Sequence, residues 1–199
     1  MANTYSGHVL YLVHPDFFFR DFSKDAVLMD PAFTNFKRQV EGFKNVLRRA
    51  LRNAKHNGIP IVWEKYAVEP SQDELKAAFK EGEFAFRNFL NENAQGARVE
   101  VLEGIGSAFF FTHRFPENAF KEMLSGKNLE PSKFTMLGGY REHCLHDTLQ
   151  LIKNAFPKAK LYVAKGSGAL SYSSLSPMPK IAPAKAVRKK NIASKKHLK

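Results

Sequence analysis

The sequence predicts an α/β fold, a three-layer α/β/α sandwich around a mainly parallel central sheet. Three observations predict it. Short runs that are apolar from end to end recur along the chain, the composition of strands buried on both faces. Between them lie stretches whose apolar residues repeat at helical spacing. The two kinds of segment alternate, so successive strands are joined by helical crossovers, the connection that a parallel pair requires. With 199 residues, the chain can bury a full core as one domain.

The first strand is Val9-Leu-Tyr-Leu-Val13, stopped by His14-Pro15. Residues 33–54 carry a helical stripe of Phe33, Phe36, Val40, Phe43, Leu47 and Leu51, with Lys and Arg between. Asn57-Gly58 is a stop signal, and Ile59-Pro-Ile-Val-Trp63 is a second strand. The first 65 residues therefore form a βαβ unit. Residues 71–92 predict a helix, with Ser71 as N-cap and Asp73 and Glu74 in its first turn. A short strand at Val99–Leu102 follows, then a third main strand at Ala108-Phe-Phe-Phe-Thr112 and a short helix over Asn118–Leu124. Phe134–Leu137 is a fourth strand. Residues 141–155 form a helix with Leu145, Thr148, Leu149 and Ile152 on one face, and Leu161–Ala164 is a fifth strand.

The net charge of +12 is uneven. Residues 170–199 hold eight Lys/Arg and no acidic residue, which leaves +4 on the rest. The basic character belongs to a Ser/Pro/Lys-rich tail, not to a domain over residues 1–169, and this argues against a nucleic-acid-binding body. Such a tail reads as a flexible, solvated extension. A contact with nucleic acid or an anionic surface is a weaker reading, because no aromatic residues interleave the charges as a binding groove would require. One cysteine excludes an intrachain disulfide and a multi-cysteine zinc site, and it fits a reducing compartment. No basic leader with an apolar run opens the sequence, and no run approaches the roughly 20 apolar residues of a membrane span. The expectation is a cytoplasmic protein.

In open α/β sheets, ligands sit beyond the carboxyl ends of the strands. The residues there are His14, Pro15 and Asp16 after the first strand, Glu64 and Lys65 after the second, Thr112, His113 and Arg114 after the third, and Gly138, Gly139 and then Cys144 after the fourth. Cys144 falls in the first turns of its helix, where unpaired N–H groups and the helix dipole favour a thiolate, the nucleophilic form. The competing reading of a lone cysteine is a small buried hydrophobe. His143 and His146 flank Cys144 at spacings that point their side chains elsewhere, towards the surface or a partner. Phe17-Phe-Phe19 and Phe109-Phe-Phe111 read either as core or as the wall of a pocket for a flat or apolar substrate.

Three segments together resemble one family. They are Gly138-Gly-Tyr-Arg-Glu-His-Cys144-Leu-His-Asp-Thr148, similar to "G-x-x-T-x-x-C-V-x-x-T"; Arg114-Phe115 with Asn118-Ala119-Phe120, similar to "K-x-R-x-S/N-A-F"; and Leu51 to Trp63, similar to "A-R-x-x-G-x-P-V-I-W". Over roughly residues 8–169 the chain resembles the isochorismatase-like cysteine hydrolases, which include nicotinamidases. The resemblance implies a Rossmann-like sheet and a Cys–Asp–Lys triad that hydrolyses a small amide or related substrate through a covalent Cys intermediate. It also implies an oxyanion hole from backbone N–H groups near the cysteine, here around Gly139, Tyr140 and His143, and a homo-oligomer. Phe17, Phe19, Trp63 and Phe115 are the candidate pocket residues.

Only Cys144 matches the triad directly. An ungapped match puts His14 at the Asp position, and a two-residue shift would put Asp16 there. Thr112 stands at the Lys position with His113 and Arg114 beside it, and Arg141 replaces the Thr three residues before the cysteine. The nicotinamidase metal ligands have no counterpart after Trp63, where Glu64-Lys65 stands, so no metal or other cofactor is expected. Two readings follow. In one, His14 or Asp16 activates Cys144, and His113 or Arg114 supplies the missing positive charge. In the other, the chain is a catalytically silent binding or assembly protein.

Overall fold

The computed structural model describes residues 4–21, 31–66, 73–103, 117–139, 143–164 and 166–170. Five strands among them form one sheet: β1 (His8–Val13), β2 (Ile61–Glu64), β3 (Val99–Leu102), β4 (Lys133–Gly138) and β5 (Lys160–Val163). Their order is β3-β2-β1-β4-β5, and every pairing is parallel. The helices described are α1 (Pro31–His56), α2 (Asp73–Ala94), α3 (Glu117–Gly126) and α4 (Cys144–Ala155).

Period-two alternation divides the apolar residues of β1 between two cores. Leu10 and Leu12 pack with Trp63 of β2 and with Phe43, Leu47 and Phe86 of α1 and α2. Val9, Tyr11 and Val13 pack with Phe134 of β4 and with Phe120 and Ile152 of α3 and α4. Two layers of helices thus enclose the sheet, which is the three-layer fold read from the sequence.

The segment at Val99–Leu102 is an edge strand paired to β2. Helix α1 begins at Pro31, earlier than the stripe suggested, with proline at the first helical position where its missing N–H has no intrahelical use. Helix α4 begins at Cys144 itself. The strand expected at Ala108–Thr112 lies outside the described residues. At the other end, Leu170 is buried and its N–H donates to the Gly138 carbonyl at 3.0 Å, so the packed body extends at least one residue beyond the expected boundary. Among the described residues no helix is long and apolar enough to cross a membrane.

The chain leaves β1 towards β2 on one side, then returns to β4 on the other. The reversal lies between β1 and β4, and at such a switch point open α/β sheets bind their ligands beyond the carboxyl ends of the strands. Gly138, the last residue of β4, shapes that end. Its φ is +133°, and a Cβ there would stand 2.0 Å from the Val13 carbonyl oxygen. Gly138→Ala combines a glycine-only backbone with a clash, so a loss of about 3 kcal/mol or more is expected, measured as a drop in the denaturant midpoint.

Candidate active site

The site grows from the residue that follows β1. His14 holds a left-handed backbone, φ 48° and ψ 46°, uncommon for a residue with a side chain. Its N–H donates to the Glu64 carbonyl at 3.0 Å, extending the β1–β2 ladder by one bond. Its own carbonyl accepts from Phe17 N–H at 3.3 Å and starts a 3-10 turn over Pro15–Phe19. Helix α2 lies against this turn at Gly82, where a Cβ would stand 2.6 Å from the Asp16 carbonyl oxygen.

The imidazole of His14 is 3 % exposed and sits beside an equally buried carboxylate. His14 Nε2 lies 3.1 Å from Glu64 Oε1. Neither ring nitrogen makes an aligned hydrogen bond, so the approach is that of an ion pair with poor N–H direction. Glu64 Oε2 accepts from the Tyr11 hydroxyl at 2.9 Å and from the Thr148 hydroxyl at 3.2 Å. Strand alternation places Tyr11 and Glu64 on the α3/α4 side of the sheet. Thr148 reaches the same carboxylate from α4, one helical turn after Cys144 and on the same face.

Cys144 is the first residue of α4 and is partly exposed. The helix opens with the Asp147 N–H on the His143 carbonyl at 2.9 Å, and no side chain of the N-cap residue His143 closes the end. Burial alone would push the His14 pKa down, but the neighbouring Cys144 side chain and then the Glu64 carboxylate raise it to about 10. The balance of these neighbours favours the imidazolium form. Burial, and then the Glu64 charge and hydrogen bond, push the Tyr11 phenol well above its usual value, which keeps it a donor.

Asp16 is also buried, but it is turned to other partners. Its Oδ1 accepts from Trp63 Nε1 at 3.0 Å, and both oxygens accept from the Tyr66 N–H at 3.3 Å. Burial raises its pKa, against the lowering effects of the Trp63 bond, the His14 charge and the Tyr66 bond. These bonds fasten the 3-10 turn to the end of β2. Trp63 is completely buried, with its ring 4.8 Å from Phe86, so it packs the core and cannot line an open pocket in this conformation. Phe19 lies against Phe86 and Phe89. Phe17 packs on Tyr66 and Phe79, under the Arg20 guanidinium. The Tyr66 ring in turn meets His14 edge-on, with centroids 5.1 Å apart.

The Gly139 N–H, expected among the oxyanion donors, points to the Val13 carbonyl at 3.4 Å and continues the β4–β1 ladder. His143 and His146 are exposed. His113, Arg114, Phe115 and Tyr140 lie outside the described residues.

Glu64, Tyr11 and Thr148 were assigned no chemical role by the sequence. Two signals were present: Thr148 stands four residues after Cys144, and Glu64 follows the second strand among the polar residues at the strands' carboxyl ends. No family model matches the sequence, and neither a curated protein nor a solved structure gives a significant match.

Proposed function

We propose that the protein is a cysteine hydrolase of isochorismatase-like type, cleaving a small amide or related acyl substrate through a thioester on Cys144. The observation that carries this reading is the placement of Cys144 at the first position of α4, one turn before Thr148, whose hydroxyl binds the same Glu64 carboxylate that lies 3.1 Å from His14 Nε2. A Cys–His pair is a competent nucleophile system. The substrate carbonyl would meet the Cys144 sulfur at the helix N-terminus. There the first-turn N–H groups and the helix dipole oppose the negative charge that develops on its oxygen.

The sulfur adds to the carbonyl carbon and the carbonyl electron pair moves to oxygen. As that pair returns, the bond to the leaving nitrogen breaks and His14 gives it a proton, leaving a thioester and a neutral imidazole. His14 then takes a proton from the attacking water. The carboxylic acid leaves, and the proton returns the Cys144–His14 pair to its starting charge. In this scheme the imidazolium supplies the positive charge that the resembled family draws from lysine. Asp16 serves by fixing the turn that carries His14.

The test is to trap the acyl group. After brief exposure to p-nitrophenyl acetate, intact-mass and peptide spectra are expected to show one acetyl group on Cys144, absent in Cys144→Ala. Absence of acylation across a panel of activated esters and amides would overturn the hydrolase reading and favour a binding or assembly role.

A further inference from the structure

We propose that Glu64, clamped by the hydroxyls of Tyr11 and Thr148, is the positioning residue that orients His14 towards Cys144, so the working unit is Cys144–His14–Glu64 in place of a Cys–Asp–Lys arrangement. The proposal rests on the reading of Cys144 as a nucleophile served by His14 and assigns how that histidine is held. The geometry is asymmetric. Tyr11 at 2.9 Å and Thr148 at 3.2 Å both bind Oε2, and Oε1 is the atom 3.1 Å from the imidazole. A carboxylate has about four acceptor directions. Two rigidly mounted hydroxyls fix the plane of the group and leave Oε1 to face the ring. The Thr148 hydroxyl also lies within 3.4 Å of Oε1, so it straddles the two carboxylate oxygens while Tyr11 holds Oε2 alone.

The mounting is firm because each partner comes from a different element. Tyr11 is on β1, Glu64 on β2 and Thr148 on α4, and all three are 1 % exposed or less. Tyr11 cannot rotate freely, because its ring packs edge-on and tilted against Phe134 and Phe120. The groups that face His14 are Glu64 from β2, Cys144 from α4, Asp16 from the 3-10 turn and the Tyr66 ring after β2. Of the two carboxylates, Glu64 lies at contact distance from the ring, whereas the short contacts of Asp16 go to Trp63 and Tyr66. A misaligned N–H in the free enzyme is compatible with this role, since such bonds tighten when substrate is bound.

The experiment follows the His14 ring by NMR titration on the full chain, beside the rate at which iodoacetamide alkylates Cys144. Neither readout needs turnover, so an inactive protein would overturn the hydrolase reading while leaving this assignment open to its own test. In Glu64→Gln the ring midpoint is expected to fall by about one to three units, the effect of removing a contacting opposite charge. Thr148→Val should slow alkylation severalfold and Thr148→Ser should restore it, a rescue that a mere packing role for the methyl group would not give. An unchanged ring midpoint in folded Glu64→Gln would overturn the proposal. Should Glu64→Gln not fold, Tyr11→Phe and Thr148→Val decide, because each removes one donor and keeps the charge. An unmoved alkylation rate in both would overturn it equally.

Discussion

His14→Asn is expected to reduce the rate of Cys144 acylation by about 10²–10⁴-fold, the usual contribution of a positioned acid–base group. Asparagine is chosen because it tolerates the left-handed backbone that His14 adopts, so lost activity would report the missing imidazole and not a strained turn. The pH profile supplies the second half of the result. Proton delivery to the leaving group needs the imidazolium, and the ring holds its proton to about pH 10. The alkaline limb of kcat/KM should therefore fall near pH 10, several units above the 6.5 of an unperturbed histidine. A limb near 6.5 would contradict the raised His14 pKa, and a limb that stays unchanged in His14→Asn would mean that another group donates the proton.

Glu64→Ala should be among the most destabilising single changes in the chain. It leaves an imidazolium buried without its carboxylate and strands two buried hydroxyls. Breaking a buried pair by removing one partner costs about 3–5 kcal/mol, readable in urea denaturation at pH 7. The same pair sets a pH dependence whose sign is fixed. His14 has a raised folded-state pKa, so its contribution to stability is fully present below pH 6.5 and is lost as pH rises through about 10. The slope between those limits is at most about 1.4 kcal/mol per pH unit for one proton. Lysines and tyrosines also titrate near the upper limit, so the difference between wild type and His14→Asn is the quantity to plot. A flat difference between pH 6.5 and 10 would contradict the ion pair.

Most of the fold could be read in the sequence because its signals are local. The spacing from Val40 through Phe43 and Leu47 to Leu51 needs only one helix to explain it, and the unbroken apolar run of β1 needs only a sheet covered on both faces. Cys144 at the start of α4 was legible for the same reason, since a glycine pair between a strand and a helix is a local pattern. The rest of the site was not local. Tyr11 meets Glu64 across 53 residues and Thr148 meets it across 84. Within its own strand, Tyr11 looks like any large residue of a buried run, and Thr148 looks like a small residue on an apolar helix face. Their hydroxyls acquire a purpose only when three elements place one carboxylate between them. The sequence also left His14 and Asp16 as alternatives. They differ through the 3-10 turn, which sends the Asp16 carboxylate to Trp63 and Tyr66 while the His14 ring stays beside Glu64.

The central place of β1 has a consequence for the order of assembly. As the chain emerges from the ribosome, β1 can dock on β2 as soon as the intervening helix is made. Its other edge stays open until β4 arrives, roughly seventy residues later, a delay of about 4–14 s at ordinary rates of synthesis. During that interval an apolar strand has a bare row of backbone donors and acceptors, which is the state most prone to pairing with another nascent chain. The arrival of β4 closes the edge and brings α4 over the sheet. Helix α4 follows β4 in the chain, so the proposed Cys144–His14 pair can form only after that edge has been closed.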